Sequence, residues 1–282
     1  MEDGIICFNS MPLFWLRVAL SLYAVGLLYA LSALWSGKKV LSTITIPAVG
    51  LGAIFHFVAL VENAMMSGVW APSSMHEMES LLAFLLMVFF FVMYARYRAT
   101  SPGLAVFPLV FLLTLSAASR STPGDVATPL FVSRQWIYVH VVLILIGYSA
   151  LLFSFVASIL YLIQEKTLKS KNASGVWSRL PALAVMDDIG YKSLIWGFPF
   201  MTLGLISGAI VAEARVGSQY FFDAKILISI LSWIVYMVLL YTRWSAGWRG
   251  RRAAYMATFA FATAVLAWAA NSLSHVHRFI NP

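Results

Sequence analysis

Long apolar runs separated by short charged punctuation organise this chain from one end to the other. Such runs recur at 12–36, 43–66, 78–97, 103–118, 135–163, 194–214, 224–244 and 253–273. A helix needs about 20 apolar residues to cross the hydrocarbon core of a bilayer. The pattern therefore predicts an all-α, polytopic membrane helix bundle of about eight transmembrane helices. The fourth run is the shortest, and the fifth is long enough to tilt or protrude. The longest polar interruption, 164–191, is expected to be a cytoplasmic loop with room for a surface helix. No soluble domain fits anywhere, so 1–282 is expected to be a single integral membrane domain.

Composition narrows the class. The 282 residues are 61% hydrophobic and only 11% charged, against about 25% charged in a soluble domain. The net charge of +8 does not point to nucleic acid, because the cations sit in short loops between apolar runs, where they set topology. Lys38, Lys39, Arg96, Arg98, Lys166, Lys169, Lys171, Arg179, Lys192, Arg243, Arg249, Arg251 and Arg252 fall in one alternating set of loops. The other set holds Arg120, Arg134, Arg215, Lys225 and Arg278. The richer set is cytoplasmic, so both termini are expected on the extracytoplasmic side of a cell (inner or plasma) membrane. Glu2 and Asp3 precede the first run, so the basic start of a cleavable signal is not expected there. Cys7 is the single cysteine; a disulfide framework and a CxxCH haem-attachment site are both excluded.

Candidate chemistry lies with the five histidines. Polar side chains within a membrane are costly, and neutral imidazole is a ready ligand for haem iron. His140 is placed a turn and a half into the fifth run from outside. His275 and His277 follow the eighth run at the same predicted face. Two imidazoles from separate helices suit axial ligation of one iron, whereas a lone histidine in an apolar helix more often bonds a neighbouring carbonyl. In extended backbone His275 and His277 would point the same way, and a solvated tail is the alternative. His56 falls near the middle of the second run, with Tyr241 or Ser207 as hydrogen-bond partners and a buried structural role as the alternative. The aromatic run Tyr220, Phe221, Phe222 is either an interfacial belt or a platform for a flat ligand. Gly204 and Gly208 have small-xxx-small spacing, a packing signal first and space for a flat ligand second. A Ser-His-Asp order, a phosphate-cradling glycine loop and an HExxH motif are all missing from the sequence.

Several segments together resemble the cytochrome c assembly family of integral membrane haem handlers, of the CcsA/ResC type with HemX-like relatives. They are His56 with the stretch from Gly68 to Ser80; Trp136-x-x-x-His140-Val with Gly147-Tyr148; Gly197 to Ile210; Tyr241-Thr-Arg243 with Gly247 to Ala254; and Asn271 to Phe279. The likeness runs from about residue 56 to 282. The family's tryptophan-rich outer loop, approximately WGSYWxWDPKExW, corresponds to Val216–Ile228. Gly217, Ser218, Asp223 and Lys225 are kept there, Tyr220 and Phe222 replace indoles, and every tryptophan is gone. Tyr241 stands at the family's second transmembrane histidine.

The resemblance implies a haem-binding protein acting in cytochrome c maturation or haem delivery at the outer face. It implies non-covalent b-type haem with His140 and His277 as axial ligands to iron. His56 would be an internal site, and Trp136, Tyr220, Phe222 and Asp223 would contact the macrocycle. A ResB-like membrane partner and an apocytochrome c are the implied partners, beside the lipid bilayer and without nucleic acid. The chain alone would handle haem without catalysis, as at most a part of a haem-attachment system. The degraded tryptophan loop supports an alternative, a non-catalytic HemX-like paralogue that regulates haem biosynthesis or serves a membrane complex.

Overall fold

The computed structural model describes residues 11–36, 39–68, 74–119, 134–170 and 181–270, together with positions 70 and 72. Eight α-helices and one 3-10 turn account for nearly all of them, and no strand occurs among the described residues. The helices are α1 (Met11–Ser36), α2 (Lys39–Ser67), α3 (Met75–Tyr97), α4 (Gly103–Ala118), α5 (Arg134–Lys169), α6 (Leu183–Val216), α7 (Ala224–Ser245) and α8 (Arg251–Ala269). The 3-10 turn Gly217–Phe222 joins α6 to α7. Seven helices are long and apolar enough to cross a membrane. The exception, α4, has 16 residues and a length of about 24 Å. The all-α, multi-pass membrane architecture read from the sequence is the architecture found.

One element differs from expectation. The polar interruption at 164–191 is helical over most of its described length, because α5 continues to Lys169 and α6 already begins at Leu183. Hydropathy marks where a helix leaves lipid, whereas backbone hydrogen bonding decides where it ends. Glu165 pairs with Lys169 and Asp188 with Lys192 at i,i+4 spacing, so the polar turns satisfy one another on a continuing helix.

The chain divides into two compact units, Met1–Val126 and Ala127–Pro282. In the first, α1 packs along α2, α3 packs on α4, α1 touches α4, and α2 and α3 meet only lightly. Its core contains Ala19, Tyr23, Leu86, Met87 and Phe90. In the second, the same order recurs: α5 along α6, α7 on α8, α5 against α8, and α6 lightly against α7. Leu151, Leu194, Met201, Tyr236, Leu239, Ala257, Ala260 and Ala264 form its core.

Small residues set how closely these helices approach. Between membrane helices shape complementarity replaces the hydrophobic drive, and small side chains let backbones meet. A Cβ on Gly197 of α6 would lie 2.5 Å from Ala150 Cβ of α5, so only glycine permits that crossing. On α8 the buried positions are six alanines and Thr263.

The light α6–α7 seam is tied by polar bonds instead. Trp233 Nε1 donates to Thr202 Oγ1 at 2.9 Å, and that hydroxyl donates to Phe198 O. At the other end Arg243 grips Asp187 with two nitrogens, at 3.0 and 2.9 Å, and its guanidinium lies over the Tyr191 ring. Asp187 Oδ1 also accepts from the Gly250 N–H at 3.0 Å, which fixes the α7–α8 turn. Arg243→Ala should lower unfolding free energy in detergent by about 1–3 kcal/mol, since a half-buried carboxylate loses charged donors. The Asp187→Ala/Arg243→Ala double variant should lose clearly less than the sum of the single losses. Additive losses in thermal or denaturant unfolding would show that the pair is not a coupled tie.

Candidate functional site

The second unit positions His140 through a seam between α5 and α6. His140 lies in the second turn of α5, where its ring faces α6. A Cβ placed on Gly208 would come within 2.5 Å of both Nδ1 and Cε1 of that ring. Gly208 is therefore the notch that seats the imidazole. Four residues earlier, the Gly204 carbonyl lies 2.7 Å from His140 Nδ1. A carbonyl has no proton to give, so Nδ1–H is the donor. In neutral imidazole this fixes the tautomer and leaves the lone pair on Nε2. Metal-ligating histidines are typically oriented in this way, by a carbonyl or carboxylate on the far nitrogen. The Gly204/Gly208 pair thus packs helices, as its spacing suggests, and also seats and orients the histidine.

The neighbouring candidates have distinct placements. Trp136 is one turn before His140 on α5 and about half exposed. Phe222, at the end of the 3-10 turn, is 85% exposed, and Phe221 is also exposed. Tyr220 lies in that turn, and its side chain is outside the described part of the molecule. Asp223 is buried and caps α7, accepting from Lys225 N at 3.0 Å. Aspartate suits that position, where free backbone N–H groups and the helix dipole favour an anion. Lys225 follows in the first turn of α7. His275 and His277 lie outside the described residues.

His56 belongs to the first unit. It is fully buried, with Tyr23 Oη 3.3 Å from Nδ1 and Ser80 Oγ 2.9 Å from Nε2. The partners expected from sequence, Tyr241 and Ser207, both belong to the second unit. Tyr241 is exposed, and Ser207 Oγ donates to Gly204 O at 2.9 Å. Both true partners escaped the sequence reading, although Tyr23 shares a small-residue face with Ala19 and Gly26. Towards the same end of α2, Asn63 donates to Glu77 and His76 lies 3.5 Å from Glu79.

Among the described residues no three His, Cys, Asp or Glu side chains cluster as a metal site. A site built wholly from protein needs three or four donors, but porphyrin iron asks the protein only for axial ligands. A seated, oriented imidazole with its lone pair on Nε2 has the donor chemistry that this demands. Substitution can test the seat directly. Gly208→Ala should cost about 1–3 kcal/mol of stability in detergent, because it drives a methyl group into a packed ring. Adding His140→Ala should recover much of that loss. A double variant as unstable as the sum of both would mean that the ring does not occupy the notch.

Comparison with known proteins gives the family. The model for "Cytochrome C assembly protein" matches residues 15–277, which extends the likeness well before residue 56. A cytochrome c biogenesis protein CcsA of Guillardia theta is 25% identical over 284 residues, covering 92% of this chain and 89% of the relative. One from Heterosigma akashiwo is 27% identical over 223 residues, covering 67% and 69%. One from Chlamydomonas reinhardtii reaches 34% over 156 residues, covering 53% and 42%. The chain belongs to the cytochrome c assembly protein family.

Proposed function

We propose that this protein handles haem during cytochrome c biogenesis, holding it at the membrane face assigned to the outside by the charge pattern. His140 provides one axial ligand through Nε2. His277, which the family likeness pairs with it, provides the other. The observation that carries this reading is the His140 Nδ1–Gly204 O bond, which orients the ring and directs the lone pair to Nε2. The seat at Gly208 supports it, because the notch holds the ring in one place.

Haem, when bound non-covalently, supplies the iron centre and the cargo for an apocytochrome. The chain's own residues bind and orient. His140 and His277 grip the iron. Trp136, Phe222 and Tyr220 offer ring faces to the macrocycle, and an exposed phenyl such as Phe222 gains by being covered. Asp223 holds the start of α7, and with it Lys225, in register beside the histidine. His56 serves as an internal ligand position. Attachment of haem to an apocytochrome requires a partner, for which a ResB-like membrane protein is the proposed class. The bilayer is the cell membrane.

Purification after haem-replete expression should yield a Soret band with the ferrous signature of bis-histidine b-type haem. His140→Ala should remove most of that absorbance, and added imidazole should restore part of it by filling the vacated position. A preparation with no Soret band, or one whose spectrum is unchanged in the His140→Ala/His277→Ala variant, would overturn the assignment. Deletion in cells discriminates the HemX-like alternative, favoured by the loss of every tryptophan from the outer loop. That alternative predicts altered levels of early haem-pathway enzymes with c-type cytochromes intact.

A further inference from the structure

The first two helices of each unit share one packing register. Gly26 of α1 faces Val49 of α2 as Gly147 of α5 faces Met201 of α6, and Gly52 faces Tyr23 as Gly204 faces Ile144. A proline inside each second helix, Pro47 and Pro199, keeps the same spacing to that second glycine. Counted from these shared points, Ala19 takes the place of His140, Phe55 that of Ser207 and His56 that of Gly208. The frame is therefore common to both seams, whereas His140, Ser207 and Gly208 occur together only in the second. Gly208 is the notch of the imidazole. Ser207 needs its own account.

The Gly204 carbonyl supplies it. Its oxygen lies 2.7 Å from His140 Nδ1 and 2.9 Å from Oγ of the buried Ser207. Both groups donate to it, and the Gly208 N–H faces the same oxygen along the helix ladder. A carbonyl has two lone pairs for these three protons, so each donor draws less from it than it would alone. We infer that Ser207 is a positioning residue for His140 that acts through the Gly204 carbonyl: its hydroxyl weakens the Nδ1–H bond and so moderates the donor strength of Nε2. Bonding at the far nitrogen is what tunes the basicity of a ligating imidazole. The inference rests on the reading of His140 as an axial ligand and deepens it. Local satisfaction of the hydroxyl is the competing account, since Ser149 and Thr263 also donate to carbonyls three residues back in their own helices. The two accounts part at the His140 proton.

The test uses the full chain in detergent, first without haem, with 15N-labelled histidine and the His140 signal assigned by its loss in His140→Ala. Nδ1–H is expected in the unsubstituted chain, and Nε2–H would overturn the inference without any further variant. Ser207→Ala should strengthen the Nδ1–H bond and move its proton resonance downfield. Ser207→Cys keeps the volume with a weak donor and should move it the same way. Ser207→Thr should leave it in place, because a helical threonine hydroxyl can reach the same carbonyl. A resonance unmoved in folded Ser207→Ala and Ser207→Cys would overturn the inference, and the handler reading would stand on haemin bound at His140. After loading with haemin, Ser207→Ala should favour the ferric form about threefold, a midpoint about 30 mV lower at 59 mV per tenfold. A shifted proton with an unchanged midpoint would overturn the passage of the effect from Nδ1 to Nε2. A shifted proton with no Soret band in any preparation would overturn the handler reading and leave the shared carbonyl supported.

Discussion

Hydrocarbon offers no water, so a polar group inside this protein is stabilised chiefly by partners within the protein. Helices meet that demand for the backbone. Several hydroxyls of the described helices meet it locally, as when Thr114, Ser158 and Thr202 give a proton to the carbonyl one turn back. Among the described residues several side chains reach across to another helix, Asn63 to Glu77 among them. His140 reaches the Gly204 carbonyl, His56 reaches Tyr23 and Ser80, Trp233 reaches Thr202, and Arg243 reaches Asp187. Each cross-helix bond replaces solvation that the bilayer cannot give, so each fixes the helices it joins.

Packing and polar ties divide the labour. Where small residues line a seam, as with Gly197 against Ala150, backbones approach closely and shape alone holds the pair. Where the second and third helices of each unit meet only lightly, directed bonds carry the contact. Both candidate histidines are placed by this division. His140 sits in a glycine notch on a tight seam, held by a backbone carbonyl that cannot move without moving the helix. His56 is tied across a light seam by the Ser80 hydroxyl.

Much of the architecture was legible because membrane spans announce themselves by length and apolarity, and α1, α2, α3 and α7 fall close to where hydropathy puts them. The starts and ends that went astray were the polar turns of α5 and α6, where charge was read as loop although i,i+4 pairs keep the helix going. His140 was legible as a candidate, but its seat was not. A small-xxx-small spacing says that something comes close, without saying that the close neighbour is an imidazole. The partners of His56 were illegible for a related reason. Tyr23 and Ser80 are 33 and 24 residues away along the chain, and only the packing of three helices brings their oxygens to one ring. Asp223 shows the converse: family likeness marks it as a site residue, and the structure gives it a local duty as the cap of α7.

One side chain type thus occurs with two kinds of hydrogen-bond partner. At His140 a single nitrogen is tied, and the tie is to an acceptor that can only leave the other nitrogen basic. At His56 both nitrogens are tied, one of them to a hydroxyl that can either give or take a proton. A carbonyl partner commits the ring, whereas a hydroxyl partner leaves it exchangeable. The choice between them is made by the neighbouring helix and not by the histidine.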